Sequence, residues 1–110
     1  MDVQPISYRG RVVAACTAEC FLLADDLAYR PSGDPELMFV VMMCAYASDV
    51  ARGVLPGPYD NADACRYARA VLVPEELLER PGLDIDRAAA ALGVPACELR
   101  AARDERPASK

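Results

Sequence analysis

One segment constrains the fold of this chain more than any other: residues 37–47 form an unbroken run of eleven apolar residues. A helix needs about 18 apolar residues to cross a bilayer, so this shorter run predicts a buried helix rather than a membrane span. Asp34 can cap its first N–H groups, and Pro35 suits the first helical position because that position needs no N–H. Gly53 can adopt the left-handed conformation that ends a helix. The pattern therefore predicts a central helix over residues 35–52.

The segment before this helix also has a helical pattern. Residues 12–29 contain strong helix formers and few breakers, and their apolar side chains recur at spacings of three and four, which indicates one continuous face. That face consists of Val13, Cys16, Cys20, Leu23 and Leu27. We therefore expect a long first helix.

The segments after the central helix complete the prediction. Asp60 or Asn61 can cap a third helix over residues 61–72, and Pro74 opens a short fourth one. Residues 84–103 predict two short helices around a Gly93-Val94 turn. We find no strand-like alternation and no internal repeat, so we expect an all-α fold. The predicted architecture is a compact bundle of about five to six helices that ends in a helix-turn-helix-like module.

The charge of the chain limits its partners. The net charge is −5, and residues 1–83 hold 12 acidic against 7 basic residues, whereas residues 84–110 hold five of each. Affinity for phosphates depends on clustered positive charge, so we do not expect the chain to bind nucleic acid alone. A basic protein is a more suitable partner.

The cysteines and the first residues predict the compartment. The five cysteines are odd in number and lie mostly in apolar runs, which favours reduced core thiols in a cytoplasmic protein. Residues 1–10 lack the charged start and the apolar stretch of a signal peptide. We therefore expect a cytoplasmic protein that does not enter a membrane.

The central helix carries unusual residues at the positions of a known catalytic motif. Met43-Cys44-Ala45-Tyr46-Ala47 stands where a zinc-peptidase helix would carry H-E-x-x-H, and the chain contains no histidine. That chemistry needs two imidazoles one turn apart to bind zinc and a glutamate to accept a proton from water. A thioether, a thiol and a methyl group occupy these positions instead.

The residues around this motif resemble the ImmA/IrrE family of metallopeptidases. Residues 62–76 are similar in order and spacing to the family's E-A-N-x-F-A-x-x-L-L-M-P segment, with Asp63 at its acidic metal ligand and Tyr67 at its phenylalanine. Phe39 matches the aromatic residue that precedes H-E-x-x-H by four positions. Residues 83–94 look like the small helical module that follows. One departure is the absence of the strand hairpin that family members usually carry between their first helix and the metal helix, because residues 30–34 are too short for one.

The resemblance implies a degenerate metallopeptidase-like core over residues 35–80, a helix-turn-helix-like module over 83–103 and a frayed tail over 104–110, all in a single helical domain. It places Met43 and Ala47 at the two histidine ligands and Cys44 at the catalytic glutamate. Only Asp63 could still bind a metal, and a single carboxylate does not hold zinc against water. We therefore expect no metal, no cofactor and no catalytic residue, and we interpret the chain as a pseudoenzyme.

Two interpretations of these positions stay open. Met43, Cys44, Ala47 and Asp63 could line a vestigial pocket that now binds a partner or a small ligand. Alternatively they are ordinary packing residues, with Asp63 paired to Arg66 one turn away. A thiolate metal site that begins with Cys16 and Cys20 is a weaker alternative, because the chain lacks C-x-x-C spacing.

The resemblance implies a regulatory role encoded by a phage or mobile element, because family members commonly act beside repressors. Our first hypothesis is a non-catalytic protein that regulates by binding a repressor or a host protein. Two alternatives are a phage inhibitor of a host protein and a DNA-binding transcriptional regulator. Arg100, Arg103 and Arg106 are possible contacts to a partner or, in a regulator that dimerises on DNA, to phosphates, although acidic residues interleave with them. These acidic residues are Glu98, Asp104 and Glu105.

Overall fold

The computed structural model describes residues 3–105, and within that range three strands precede six helices. The strands form one antiparallel sheet in the order β1-β2-β3. The elements are β1 (Gln4–Tyr8), β2 (Arg11–Cys16), β3 (Phe21–Leu23), α1 (Asp25–Ala28), α2 (Pro35–Ala51), α3 (Asn61–Leu72), α4 (Glu75–Leu78), α5 (Ile85–Leu92) and α6 (Ala96–Glu105).

The prediction of an all-α fold was wrong, because the protein is a mixed α/β structure. Residues 12–29, predicted as one long helix, contain most of β2, all of β3 and the four-residue α1. The cause is a two-residue turn that joins β1 to β2. Arg9 and Gly10 both have positive φ, 54° and 87°, the conformation that matches the twist of a hairpin. The turn pairs Tyr8 with Arg11 and directs the following residues into a strand.

A second turn, over residues 17–20, leads the chain from β2 back into β3. The amide of Thr17 donates to the carbonyl oxygen of Cys20 at 2.8 Å, and the Thr17 hydroxyl accepts from the amides of Glu19 and Cys20. Of the five side chains in the predicted helical face, Val13, Cys16 and Leu27 are buried, whereas Cys20 is exposed.

The central helix was predicted correctly. It spans Pro35–Ala51, the Asp34 carboxylate accepts from the amide of Leu37 at 3.1 Å, and Gly53 follows with a φ of 77°. The sheet packs on one side of α2 and α3 on another, and five of its apolar residues are buried, whereas Met38 is exposed. Within residues 3–105, no helix has the length and apolar character needed to span a membrane.

The later helices also agree with the prediction. Asp60 caps α3 through the amide of Ala62 at 2.7 Å, and α5 ends at Gly93, which has a φ of 74°. The tail was predicted to begin at residue 104, but α6 continues to Glu105. The rest of the predicted tail, residues 106–110, lies outside the described residues.

The buried side chains form two cores. The larger core joins the inner face of the sheet to α2 and α3, and the smaller one lies within the C-terminal module. Leu72 packs against both. The smaller core is made of Val73, Ile85, Ala89, Val94 and Leu99.

Candidate functional site

Three of the four predicted pocket residues lie inside the larger core. Met43 and Cys44 have no exposed surface, and Ala47 is 2% exposed. The Cys65 thiol of α3 lies 4.0 Å from the Met43 sulfur, and the Cys16 thiol of β2 donates to the Cys44 carbonyl oxygen at 3.4 Å. These α2 positions are therefore enclosed between the sheet and α3.

The chemistry of Cys44 follows from this burial. Desolvation raises the pKa of its thiol from 9.0 to about 12, because an apolar environment disfavours the thiolate. A thiol that stays protonated is a poor nucleophile and a poor metal ligand. The Cys44 side chain is therefore unreactive in the folded protein.

The fourth predicted residue, Asp63, lies on the surface. Its side chain is 46% exposed and forms an ion pair with Arg66 one turn further along α3. Helices α2 and α3 do pack against each other, but none of the hydrogen bonds or ion pairs of Asp63 reaches Met43, Cys44 or Ala47. Among residues 3–105, no three His, Cys, Asp or Glu side chains are arranged to hold a metal ion. The thiolate site considered for Cys16 and Cys20 therefore lacks a complete ligand set there.

A cavity of about 370 Å³ lies between the C-terminal half of α2 and the β2–β3 turn. Of the four predicted pocket residues, Ala47 lines it, and the other three do not. Two polar groups nearby are already bonded: the Cys16 thiol lies 3.0 Å from the Ser48 hydroxyl, and the Tyr59 hydroxyl donates to Asn61 at 2.7 Å. The walls of the cavity combine apolar and polar side chains. Its walls are Val3, Gln4, Cys16, Thr17, Ala18, Glu19, Ala47, Val50, Ala51 and Tyr59.

The predicted phosphate contacts lie on or beyond α6. Arg100 and Arg103 are exposed, and each has an acidic neighbour at 3.7 to 3.8 Å, Asp86 and Asp104 respectively. Arg106 lies outside the described residues. The two described arginines are therefore partly neutralised by carboxylates of the same module.

A buried polar network fastens the opposite face of α6 to the rest of the protein. Glu98 is 8% exposed and accepts from the Tyr8 hydroxyl at 2.5 Å and from Arg69 at 2.9 Å. Arg69 also donates to Glu105 at 2.7 Å. Burial and the adjacent Glu98 carboxylate raise the pKa of the Tyr8 hydroxyl well above its ordinary value. The network connects β1, α3 and α6.

This network was not predicted from the sequence. Glu98 looked like one of the acidic residues interleaved on an exposed helix, but its side chain points inward. Arg69 and Tyr8 precede Glu98 in the sequence by 29 and 90 residues, respectively. No local sequence motif indicates pairing over such separations. The one available signal was a glutamate directly before the buried Leu99 in the first turn of the helix.

Comparisons of the chain with protein-family models, with curated proteins and with solved structures gave no match.

Proposed function

We propose that this chain is a non-catalytic regulatory protein that acts by binding another protein. In this proposal it descends from a zinc metallopeptidase of the ImmA/IrrE type and has lost zinc binding and peptidase activity. The observation that carries the proposal is the burial of Met43, Cys44 and Ala47 in the larger core. These side chains supply neither zinc ligands nor a base, and their packing contributes to stability instead.

The position of the sheet gives the resemblance further support. Members of the family usually carry a strand hairpin between their first helix and the metal helix, and the sequence predicted that this chain lacks one. The β1-β2-β3 sheet precedes α2 here, separated from it by the short α1. Strands before α2 and the packing of α3 beside α2 agree with such a scaffold, whereas the outward position of Asp63 does not.

The proposed partner is a repressor or a host protein, in a phage or mobile-element setting. The net charge of −5 favours a basic surface on that partner. A reducing cytoplasm suits a chain whose five cysteines are all unpaired.

Measurements of zinc content and peptidase activity test the proposed loss of zinc binding and catalysis. Protein purified without chelators should contain substoichiometric zinc, and added zinc should neither raise its melting temperature nor produce cleavage of a peptide library. Stoichiometric zinc that survives dialysis, or cleavage that a chelator abolishes, would overturn the proposal.

A pull-down from host and phage lysates, read by mass spectrometry, tests the binding role. It should enrich a repressor or a host regulator that dissociates at high salt, because the attraction is largely electrostatic. An unrelated acidic protein of similar net charge, used as bait, is the control for simple ion exchange.

A DNA-binding regulator is the second candidate. The observation in its favour is that α5, the Gly93 turn and α6 form the expected helix-turn-helix-like module with Arg100 and Arg103 exposed. Such a protein should shift duplex DNA at low salt, with an affinity that falls steeply as salt is added.

A further inference from the structure

The two outer edges of the sheet differ in their free hydrogen-bonding groups. β1 and β3 are both edge strands because β2 lies between them. The β1 edge is closed: Pro5 has no N–H, and the amide of Ser7 donates to the Asn61 side chain of α3 at 3.2 Å. Proteins protect sheet edges with proline and covering elements in this way.

The β3 edge is open. The amide of Thr17 donates to the Cys20 carbonyl oxygen, and the amide of Ala24 donates to the Val13 carbonyl oxygen. In an antiparallel ladder the bonded positions alternate, so residues 20, 22 and 24 bond to β2 while Phe21 and Leu23 direct their N–H and C=O groups outward. No hydrogen bond from residues 3–105 reaches these outward groups.

The side chains of β3 add apolar surface to this edge. Leu22 is 75% exposed and Phe21 is 38% exposed. Leu22 lies beside Ala15 of β2 in the register of the sheet. An unpaired edge with exposed apolar side chains is the surface on which an added strand binds, because backbone hydrogen bonds supply affinity and side-chain contacts supply specificity.

The charged residues that flank β3 determine which charges an added strand should carry. Glu19 lies just before the strand and Asp25 just after it, both are exposed, and neither forms an ion pair within residues 3–105. If a second copy paired antiparallel about Leu22, each Glu19 would face the Asp25 of the other copy. Like charges opposite each other are destabilising, so self-pairing is disfavoured and a segment with basic ends is favoured.

We propose that β3 binds an extended segment of a basic partner protein as a fourth strand. The segment has Lys or Arg at both ends, beside Glu19 and Asp25, and an apolar residue at its centre beside Leu22. This inference rests on the proposed protein-binding function, and it names the surface and the chemistry of the partner.

A pair of synthetic peptides tests the inference on the full chain. The probe is Lys-Val-Thr-Val-Thr-Val-Lys, and the matched control has Glu in place of both Lys. In ¹⁵N-labelled protein, the basic peptide should shift the amide resonances of Phe21 and Leu23 saturably, and salt should weaken its binding several-fold. The acidic peptide should leave these resonances unchanged.

Two kinds of variant separate the backbone contribution from the charge contribution. Phe21→Pro removes one outward N–H at the first residue of an edge strand, where proline is tolerated, and Phe21→Ala removes the side chain alone. The proline variant should bind about tenfold more weakly than the alanine variant, the effect of one lost hydrogen bond. Glu19→Gln with Asp25→Asn keeps the backbone intact and should abolish the preference for the basic peptide, even where the proline variant fails to fold.

Three outcomes would overturn the inference: equal binding of both peptides, shifts that map away from β3, or dimerisation of the protein through β3. Bound zinc or peptidase activity would overturn the proposed function and leave the peptide result standing. The two failures are therefore distinguishable.

Discussion

Glu98 shows how one side chain can determine the arrangement of distant segments. Its carboxylate is almost fully buried, and it is matched by one cation and one hydroxyl donor. A buried ion pair contributes little compared with an apolar replacement of both partners, but the loss of one partner leaves an uncompensated charge. Removal of the Glu98 side chain should therefore leave the Arg69 guanidinium without its buried carboxylate partner.

The first prediction concerns this network. Glu98→Ala should lower the free energy of unfolding by about 3 kcal/mol, because Arg69 and Tyr8 lose their acceptor in a desolvated site. Asp63→Ala is the matched control and should change stability little, since its ion pair is exposed. Urea denaturation followed by circular dichroism measures both. Equal effects of the two substitutions would contradict the buried network.

The cysteines predict a graded reactivity. Cys20 and Cys97 are exposed, Cys65 is half-buried, and Cys16 and Cys44 are buried. A thiol-specific reagent should label the two exposed cysteines rapidly and Cys65 slowly, and it should reach the buried pair only after unfolding. Peptide mapping of the labelled protein measures the order. Fast labelling of Cys44 in the folded protein would show that the α2 positions are accessible.

Stability should fall at alkaline pH. Burial raises the pKa of the Cys44 thiol from 9.0 to about 12 and raises that of the Tyr8 hydroxyl as well. Above pH 9 the unfolded chain therefore binds fewer protons than the native protein, so the stability present below pH 9 is lost as the pH rises. Urea midpoints measured from neutral to alkaline pH should show this fall, and Cys44→Ala should make it shallower. An unchanged slope would contradict the assignment.

At the scale of secondary structure, the turn between β1 and β2 determines that the residues after it form a strand. Arg9 and Gly10 both have positive φ, which an arginine adopts at a cost and a glycine adopts freely. A Cβ atom added at Gly10 would meet nothing within 4 Å, so a substitution there acts only through the backbone conformation.

Paired substitutions test the turn. Arg9→Asn should stabilise the protein, because Asn-Gly is the preferred sequence for such a turn. Gly10→Ala should destabilise it by about 1 kcal/mol. Thermal melts measure both. The same sign of change in both variants would contradict the turn geometry.

The helices were predictable because their signals are local. Asp34, Asp60 and Gly93 each lie within a turn of the helix end that they cap. The sheet was not predicted, because β3 has only three residues and because residues 12–29 place apolar side chains at spacings that also suit a helix. A usable signal existed in Arg9-Gly10, followed by strand-forming valines.

Some features of the candidate site were likewise predictable from the sequence, and others were not. The apolar run over residues 37–47 indicated the burial of Met43, Cys44 and Ala47, since a helix that is apolar all round lies in a core. The outward position of Asp63 depends on how α3 is rotated about its axis, and the pattern of residues 62–76 did not determine that. The open edge at β3 depends on strand order, which no single segment encodes.

At the scale of the whole molecule, the protein joins two cores of unequal size and carries a net negative charge. The C-terminal module is held by Leu72 and by the Glu98 network, both on its inner side. Its outer side has arginines that share their surroundings with carboxylates. This distribution is unfavourable for binding phosphates.

A DNA-binding assay tests whether this distribution of charge prevents binding to phosphates. The purified chain should not shift duplex DNA even at low salt, since an acidic surface does not release counterions from phosphates. A gel-shift series over increasing salt measures this. A shift whose affinity falls with a slope corresponding to several phosphates would favour the second candidate function.

The closed β1 edge has a consequence for stoichiometry. If a partner segment pairs with β3, Pro5 and the Ser7–Asn61 hydrogen bond still block the β1 side of the sheet formed within residues 3–105. That sheet can therefore be extended on one side, and one molecule does not join two partner strands through its opposite edges.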